Sequence, residues 1–295
     1  MEVNKIYHDD WMNNQLPDKS VQLIIADPPY FEVKGEFDFI WKSFDDYLKD
    51  VEKWAVECKR LLADNGTLFW YGHAKKIAYS QIIFDKYFNL ENNLIWHKYD
   101  SQTNKSIKQL NCFAPTTERI LMYSKIENYQ FFRQYLKEAR IKKGFTIKQV
   151  AEKMGVYQAL YGFYEQYNTG SQIPTEEQYS KLIAILDLDI DYKTIARTFE
   201  NKQLLTDVMK FSQEAHITGK YDHDTCKPET LTRALILTCS RPDDLIFIPF
   251  AGSGTEVAMA IKEGRNAIGF DIEEKYVEMG NKRTEIIKSQ PSLFF

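Results

Sequence analysis

The sequence is poor in cysteine, with only four among 295 residues, and no two of them are close together. No pair has the Cys-x-x-Cys spacing of zinc sites, and the five histidines show no spacing typical of metal ligands. The same scatter argues against a disulfide framework. We therefore expect no metal ion and no fold that depends on cross-links. The cysteines are Cys58, Cys112, Cys226 and Cys239.

The chain also lacks long apolar runs and an excess of positive charge. No stretch reaches the roughly 20 apolar residues of a membrane-spanning helix, and the first residues lack the apolar core of a secretion signal. The net charge of −4 gives no overall attraction to nucleic acid. We therefore expect a cytoplasmic protein with no membrane partner, in which any contact with nucleic acid depends on a local basic stretch. Such a stretch contains Arg133, Lys137, Arg140, Lys142, Lys143 and Lys148.

What the sequence does contain is an alternation of short apolar runs and amphipathic segments. The apolar runs predict strands at 21–26, 67–71, 94–96, 119–123, 245–248 and 267–270. The amphipathic segments predict helices at 43–62, 75–88, 228–238, 255–263 and 273–288. This alternation is typical of an α/β fold with a mostly parallel sheet covered on both faces. Between about 127 and 191 no strand is evident, which predicts an inserted small helical domain.

The first motif, Asp27-Pro28-Pro29-Tyr30, directly follows the apolar run 21–26. Two prolines fix the backbone and remove two N–H donors, so the carbonyl groups there remain as acceptors. These acceptors and the Asp27 carboxylate can hold both hydrogens of one amino group, which makes the nitrogen lone pair available for methylation. Tyr30 offers a flat face on which a base can stack. The alternative interpretation is a rigid turn after a strand.

The second motif is a glycine-containing turn after the apolar run 245–248. Glycines between a strand and a helix let a ligand approach the backbone and the free N–H groups of the helix. Asp271 ends the next predicted strand, where an acid can accept hydrogen bonds from ribose hydroxyls. The third glycine of a dinucleotide fingerprint is missing, so a nucleoside without phosphates fits better. An ordinary strand–turn–helix is the alternative. The motif comprises Phe250, Gly252, Ser253, Gly254 and Thr255.

Together the two motifs resemble the S-adenosylmethionine-dependent amino methyltransferases of DNA. Residues 1–126 resemble the catalytic half of such enzymes, and 221–295 resemble the cofactor-binding half. The catalytic motif precedes the glycine motif, which is the order of the family's β class. The resemblance implies a permuted, Rossmann-like sheet of seven strands with S-adenosyl-L-methionine as cofactor. Asp27 before Pro-Pro, where some members have Ser, implies adenine N6 as the acceptor, with cytosine N4 second.

The resemblance also assigns individual residues. Asp10 stands where the family has an acid near the adenine ring of the cofactor, and the segment 223–228 resembles the family's His-Pro-Thr-Gln-Lys-Pro. Asp224, Cys226 and Ile248 depart from the family pattern. The residues that the resemblance makes catalytic are Asp27, Pro28, Pro29 and Tyr30. The residues that it places at the cofactor are Asp10, Asp27, Lys227, Phe250, Gly252, Ser253, Gly254, Thr255 and Asp271.

The inserted segment resembles a helix-turn-helix domain of the phage-repressor type over about 132–190, within a target-recognition region at 127–220. In such domains the third helix enters the major groove. The alternative is a helical bundle that only packs or dimerises. The expected base contacts are Tyr157, Gln158, Tyr161 and Tyr164, and the expected phosphate contacts are Lys142, Lys143 and Lys148.

These expectations combine into a site-specific DNA adenine-N6 methyltransferase that extrudes its target base from the duplex. The segment 31–42 would close over that base, or else form a surface connection. We expect a bacterial or phage-encoded enzyme of a restriction–modification system, with double-stranded DNA, a cognate restriction endonuclease and a second copy of the chain as partners. The alternatives are a helix-turn-helix regulator on an inactive scaffold, a cytosine-N4 DNA methyltransferase, or the same chemistry on RNA or on a protein amide.

Overall fold

The computed structural model describes residues 1–32, 40–99, 111–165, 173–213 and 226–289, with the backbone alone at 126–129. The chain divides into two compact units, of which the first comprises Met1–Ser124 and Thr198–Phe295 and the second comprises Lys125–Arg197. The sequence predicted an inserted helical domain at about 127–191, within a target-recognition region at 127–220; residues 198–213 belong to the first unit. They do so because a short strand at Val208–Lys210 pairs with the sheet of that unit.

The described part of the first unit contains one sheet of eight strands in the order β1-β8-β7-β2-β3-β5-β4-β6. The neighbours from β1 to β3 in this order pair in parallel, whereas β5 is antiparallel to β3. The resemblance implied seven strands, and the sequence did not predict the short β1 and β6. The strands are β1 (Lys5–His8), β2 (Val21–Ala26), β3 (Leu62–Gly72), β4 (Phe88–His97), β5 (Thr117–Lys125), β6 (Val208–Lys210), β7 (Leu245–Ile248) and β8 (Asn266–Asp271).

Helices cover both faces of this sheet, as the sequence pattern predicted. In β2, Leu23 and Ile25 belong to one buried cluster, and Ile24 and Ala26 belong to the other. A strand that is buried on both faces must be apolar throughout, which explains the continuous run. The helices of the described residues are α1 (Phe44–Leu61), α2 (Ile77–Phe84), α3 (Ile126–Lys142), α4 (Ile147–Met154), α5 (Gln158–Glu165), α6 (Glu176–Leu186), α7 (Tyr192–Ile195), α8 (Glu229–Cys239), α9 (Thr255–Lys262) and α10 (Glu274–Lys288).

The second unit consists of helices α3 to α7 packed around its own apolar core. Thr146 begins α4 with a capping box, in which its side chain and that of Gln149 bond each other's backbone N–H groups. Gly155 ends α4 in the left-handed conformation, at φ 73°. Inside the unit, Arg140 forms a partly buried ion pair with Glu165 at 2.7 Å. Local capping and a left-handed glycine therefore produce the helix–turn–helix of α4 and α5.

The structure corrects two of the expected DNA contacts. Tyr161 and Tyr164 are buried in the core of the second unit, where they lie on the inner face of α5. Tyr157, by contrast, is 87% exposed, and Gln158 is exposed beside it. Tyrosine carries an apolar ring with a polar end, so residue type alone does not say which face of a helix it occupies.

The expected phosphate contacts Lys142, Lys143 and Lys148 are all exposed. Lys143 forms an ion pair with Asp187, and Lys148 lies 3.9 Å from Glu152.

Among the described residues, no helix is long and apolar enough to cross a membrane. Nor do the described histidine, cysteine and acidic side chains form a group of three or more that is able to hold a metal ion.

Candidate active site

The two sequence motifs meet at one edge of the sheet. Strands β2 and β7 pair in parallel, with Leu23 opposite Ile246 and Ile24 opposite Phe247. Parallel neighbours end at the same edge, so the residues that follow β2 and β7 leave the sheet side by side. At this point the strand order also changes direction, since β8 lies beyond β7 and β3 lies on the other side of β2. Crevices at such switch points are the usual ligand sites of α/β proteins.

A cavity of about 600 Å³ opens at this edge. Most of the residues singled out in the sequence line it, whereas Ser253, Gly254 and Thr255 do not. Of the other predicted segments, 33–39 after the catalytic motif and 223–225 before Cys226 lie outside the described residues. The predicted residues that line the cavity are Asp10, Asp27, Pro28, Pro29, Tyr30, Lys227, Phe250, Gly252 and Asp271.

The glycine turn is tied to the acid at the end of the next strand. The backbone N–H of Gly252 donates to Oδ2 of Asp271 at 2.8 Å, and the N–H of Glu273 donates to Oδ1 at 2.9 Å. Burial raises the pKa of Asp271, and these two N–H groups act in the opposite direction. The carboxylate is thus fixed at the rim of the cavity, in a position suited to hydroxyl donors of a ligand.

Ser253 and Thr255 instead hold the turn from behind. The hydroxyl oxygen of Ser253 lies 2.7 Å from the Cys226 sulfur, and Nη1 of Arg283 donates to the Thr255 hydroxyl at 2.9 Å. Both residues are buried. Their place behind the cavity wall indicates that they stabilise the turn.

Aromatic side chains form the wall on the Asp10 side of the cavity. Asp10 accepts a hydrogen bond from the N–H of Met12 at 2.9 Å and thereby caps the 3₁₀ turn Trp11–Asn13. Phe250 packs edge-on against Trp11 at 5.8 Å and against Trp54 at 5.1 Å. Flat apolar surfaces beside a carboxylate can hold the ring and the amino group of an adenine.

A charged network lies at the other side of the cavity, around Asp27. The hydroxyl of Tyr30 donates to Oδ1 of Asp27, and the ammonium group of Lys227 lies 2.6 Å from Oδ2. Lys227 also lies 3.4 Å from Oε2 of Glu118, whose other oxygen pairs with Lys98. Four separate segments of the chain supply these charges. The sequence indicated Asp27 and Lys227, but it assigned no role to Lys98 or Glu118.

Burial and charge fix the protonation states in this network. Burial raises the pKa of Tyr30 well above its ordinary value, and the carboxylates of Asp27 and Glu118 add to the effect, so its hydroxyl remains a donor. Burial would lower the pKa of Lys227, but the same two carboxylates outweigh it and raise that pKa. For Glu118, burial is outweighed by Lys227 and Lys98, which lower its pKa. Opposite charges therefore compensate one another inside the site.

Glu256 is a further buried acid that the sequence did not single out. It lies in the first turn of α9 and is 6% exposed. Burial raises its pKa to about 7, helped by the charge of Asp27 and opposed by Lys227 and Arg283. Glutamate in the first turn of a helix is usually exposed and favoured by the helix dipole, so its position gave no signal of burial.

Known proteins that resemble this chain are DNA methyltransferases. The DNA adenine methyltransferase YhdJ of Escherichia coli (strain K12) is 29% identical over 295 residues, covering 97% of this chain and 84% of the relative. The type II methyltransferase M1.MboII of Moraxella bovis is 29% identical over 297 residues, covering 95% of this chain and 96% of the relative.

Solved structures share the fold at lower identity. The M1.HpyAVI–SAM complex superposes with a TM-score of 0.55 at 18% identity, covering 95% of this chain and 98% of that one. The cytosine-N4-specific PvuII DNA methyltransferase superposes with a TM-score of 0.59 at 14% identity, covering 96% of this chain and 89% of that one. These likenesses confirm the predicted fold class, an α/β methyltransferase sheet.

The match to a family model extends from β2 to the last helix. The model of the family described as DNA methylase matches residues 21–282. That range includes both motifs and the inserted helices. The chain therefore belongs to the DNA methylase family.

Proposed function

We propose that this protein transfers a methyl group from S-adenosylmethionine to N6 of an adenine that has been extruded from double-stranded DNA. The observation that carries the proposal is the single cavity lined both by Asp27, Pro28 and Tyr30 and by Gly252 and Asp271. One group of residues offers acceptors for an amino group. The other offers the rim of a nucleoside site within the same 600 Å³ space.

The residues of the chain fit this cofactor. Aromatic walls at Trp11 and Phe250 suit the adenine ring, the Asp10 carboxylate suits its amino group, and Asp271 suits the ribose hydroxyls. When bound, S-adenosylmethionine supplies a methyl group on a positively charged sulfur. The acidic residues on this side of the cavity favour such a charge.

Asp27 and the Pro28 carbonyl act on the target amine. As two acceptors they hold both amino hydrogens, which draws the nitrogen out of conjugation with the ring and makes its lone pair available. The Tyr30 hydroxyl fixes one oxygen of Asp27, so the carboxylate does not rotate. Forming the N–CH₃ bond would break the S–CH₃ bond of the cofactor, so that the sulfur leaves as a neutral thioether and the amine gains the positive charge. The amine then loses a proton, for which the Asp27 carboxylate is a suitable acceptor. Holding both partners in line supplies most of the acceleration in such a transfer.

The helical unit Lys125–Arg197 supplies DNA recognition in this proposal. Its helices α4 and α5 are joined at the left-handed Gly155, and the exposed start of α5 presents Tyr157 and Gln158. Exposed side chains at the start of a recognition helix are those that contact base edges in helix-turn-helix complexes. Lys142 and Lys148 are exposed and suited to phosphate contacts.

Adenine is the proposed acceptor because an aspartate precedes Pro-Pro at position 27 and because YhdJ is named an adenine enzyme. The β-class order, a cytoplasmic location in bacteria and a restriction–modification context with a cognate endonuclease belong to the same proposal. A type II methyltransferase among the relatives supports that context. A homodimer stays a prediction.

The test is expression of the chain in a host that lacks DNA methylation, followed by nucleoside mass spectrometry and modification-sensitive genome sequencing. We expect N6-methyladenine at one short sequence. N4-methylcytosine would assign the cytosine alternative. No modified base, together with retained cofactor binding, would assign the regulator that keeps an inactive scaffold. The sequencing also gives the recognition site that the later experiments require.

A further inference from the structure

Lys227 occupies a position that its assignment to the cofactor does not explain. Its ammonium nitrogen lies 2.6 Å from Oδ2 of Asp27, beside the proposed amine-binding carboxylate. The side chain is 6% exposed and lines the cavity. Lys227 therefore lies directly beside the residue that is expected to hold the target base.

The bonds of Lys227 leave it able to serve a ligand. An ammonium group has three N–H donors. Among the described residues, the other polar contacts of the Lys227 ammonium group are long, at 3.4 Å to Glu118 and 3.4 Å to the hydroxyl oxygen of Tyr30. A carboxylate can accept about four hydrogen bonds, so Asp27 can also accept one from an amine while it keeps Tyr30 and Lys227.

We propose that Asp27 and Lys227 together read the edge of the target base, with Asp27 accepting from the amino group and Lys227 donating to the adjacent ring nitrogen. This inference rests on the proposed function and deepens it. In adenine the amino nitrogen and N1 are bonded to the same carbon atom, so they are close neighbours. The acceptor and donor that face them are also close neighbours, 2.6 Å apart. Lys227 is thereby a specificity residue for the base.

The charges around Lys227 favour a neutral base over the carboxylate of the cofactor. Asp27 and Glu118 already flank the ammonium group on the two sides where it is bonded. A third carboxylate at Lys227 would lie near two like charges in a buried site, where such repulsion is strong. The edge of a base carries no net charge, so it can accept from Lys227 without that repulsion.

The proposed pair selects bases by the polarity of their edge. Guanine and thymine present an oxygen where adenine presents its amine, and a ring N–H where adenine presents a bare nitrogen. Neither group can form a hydrogen bond in the site, because an oxygen acceptor would face the Asp27 carboxylate and an N–H donor would face the Lys227 ammonium group. Cytosine has the same polarity as adenine, so the pair excludes guanine and thymine but does not separate adenine from cytosine.

Glu118 acts on the base only through Lys227, as a positioning residue. It lies on β5 and pairs with both Lys98 and Lys227. Its attraction draws the ammonium group toward one side, and Asp27 draws it toward the other. Loss of the Glu118 charge frees Lys227 to tilt without removing its donors.

The test uses duplex DNA that carries the mapped recognition site, with adenine, 1-deazaadenine or 7-deazaadenine at the target position. 1-Deazaadenine keeps the amino group but replaces N1 with C–H, whereas 7-deazaadenine keeps N1. We expect kcat/KM to fall about 10–100-fold for 1-deazaadenine, as for loss of a bond to a charged group, and less than threefold for 7-deazaadenine. The weaker pairing of 1-deazaadenine favours extrusion, so easier extrusion cannot cause the loss. Equal rates for adenine and 1-deazaadenine would overturn the proposal.

The second arm removes the donor. Lys227→Met should lower kcat/KM on adenine and bring the ratio between adenine and 1-deazaadenine close to one, with cofactor affinity by calorimetry within threefold of wild type. Glu118→Gln should reduce the ratio partly and also leave cofactor affinity unchanged. Weakened cofactor binding in Lys227→Met with an unchanged base ratio would make Lys227 a cofactor residue and refute the inference.

The analogue series on the unmodified enzyme needs no variant, so it decides the question even if Lys227→Met does not fold. The adenine duplex in the same series reports separately on the proposed function. Transfer to adenine without discrimination against 1-deazaadenine defeats this inference alone. No transfer to adenine defeats both.

Discussion

Gly254 and Gly280 pack against each other so closely that a Cβ atom on Gly254 would lie 2.8 Å from the Cα atom of Gly280. Gly254 begins α9 in the left-handed conformation, at φ 74°, and Gly280 lies on α10. From the sequence, we interpreted the glycines of this turn as residues that let a ligand approach the backbone. In the structure Gly252 lines the cavity, whereas Gly254 does not line it and lets α9 pack closely against α10.

Gly254→Ala should destabilise the first unit by more than about 2 kcal/mol, since left-handed strain costs roughly 1–2 kcal/mol and a backbone clash adds to it. Denaturant unfolding followed by tryptophan fluorescence measures this unit, because all five tryptophans lie in it. Gly155→Ala is the matched control, since its φ is 73° and nothing lies within 4 Å of an added Cβ. Gly155→Ala should lower the free energy of unfolding of the second unit by the strain energy alone. Circular dichroism follows the unfolding of this variant. Equal costs would contradict the role of the clash.

Asp27→Ala should lower methyl transfer about 100–1,000-fold, because one acceptor for the target amine is lost in the transition state. The fold should persist, since Lys227 keeps its partner Glu118. Tyr30→Phe is the milder companion, because it keeps the ring and removes only the hydroxyl that orients Asp27. We expect the rate of methyl transfer by Tyr30→Phe to fall about tenfold. Labelled-methyl transfer measures both, and unimpaired transfer by Asp27→Ala would remove the carboxylate from the mechanism.

Glu256→Gln should stabilise the protein at high pH but not at low pH. Burial raises the pKa of Glu256 from 4.5 to about 7, so the folded state binds its proton more tightly than the unfolded chain does. The resulting stability is fully present below about pH 4.5 and is lost as the pH rises through 7. The amide has no proton to lose, so the variant gains up to about 3 kcal/mol above pH 7.

Urea unfolding at pH 5 and pH 8 checks this difference. Glu278→Gln is the control, because Glu278 is an exposed carboxylate in α10. We expect the free energy of unfolding of Glu278→Gln to match that of the wild type at both pH values. A gain for Glu256→Gln that is the same at both pH values would show that the effect does not come from titration.

Tyr157→Ala should weaken binding to the mapped duplex about 10-fold, whereas Tyr161→Phe should leave DNA affinity unchanged. Tyr157 is 87% exposed at the start of α5, and Tyr161 is buried on its other face. Fluorescence anisotropy measures the affinity. A fall in affinity for Tyr161→Phe alone would show that the wrong face of α5 has been assigned to DNA.

Lys148→Gln should weaken binding to all DNA sequences and reduce the salt dependence of that binding.

The sequence predicts this fold well wherever a strand is buried on both faces. Residues 21–26 and 245–248 read as strands because both contain unbroken apolar runs, and both lie centrally in the sheet. Asp27 and Asp271 were found because each follows such a run at the edge where parallel strands end. β1 and β6 were missed because these strands, of four and three residues at the two margins of the sheet, carry no such pattern.

The interior of the site could not be predicted to the same extent. Lys98 contacts Glu118, and Glu118 contacts Lys227, only because the fold brings distant segments of the chain together. The spacing of residues along the sequence does not predict contacts of this kind. Tyr161 was assigned to the wrong face of α5 because tyrosine is equally suited to a core and to a DNA surface.

The alternation of Lys98, Glu118, Lys227 and Asp27 has a consequence for how this protein can evolve. Two cations and two anions alternate in a partly buried cluster, so a neutral substitution at any one of them leaves an opposite charge with one partner fewer. We therefore expect substitutions at these four positions to occur together. A relative that lacks one member of the cluster should also differ at the position of its partner.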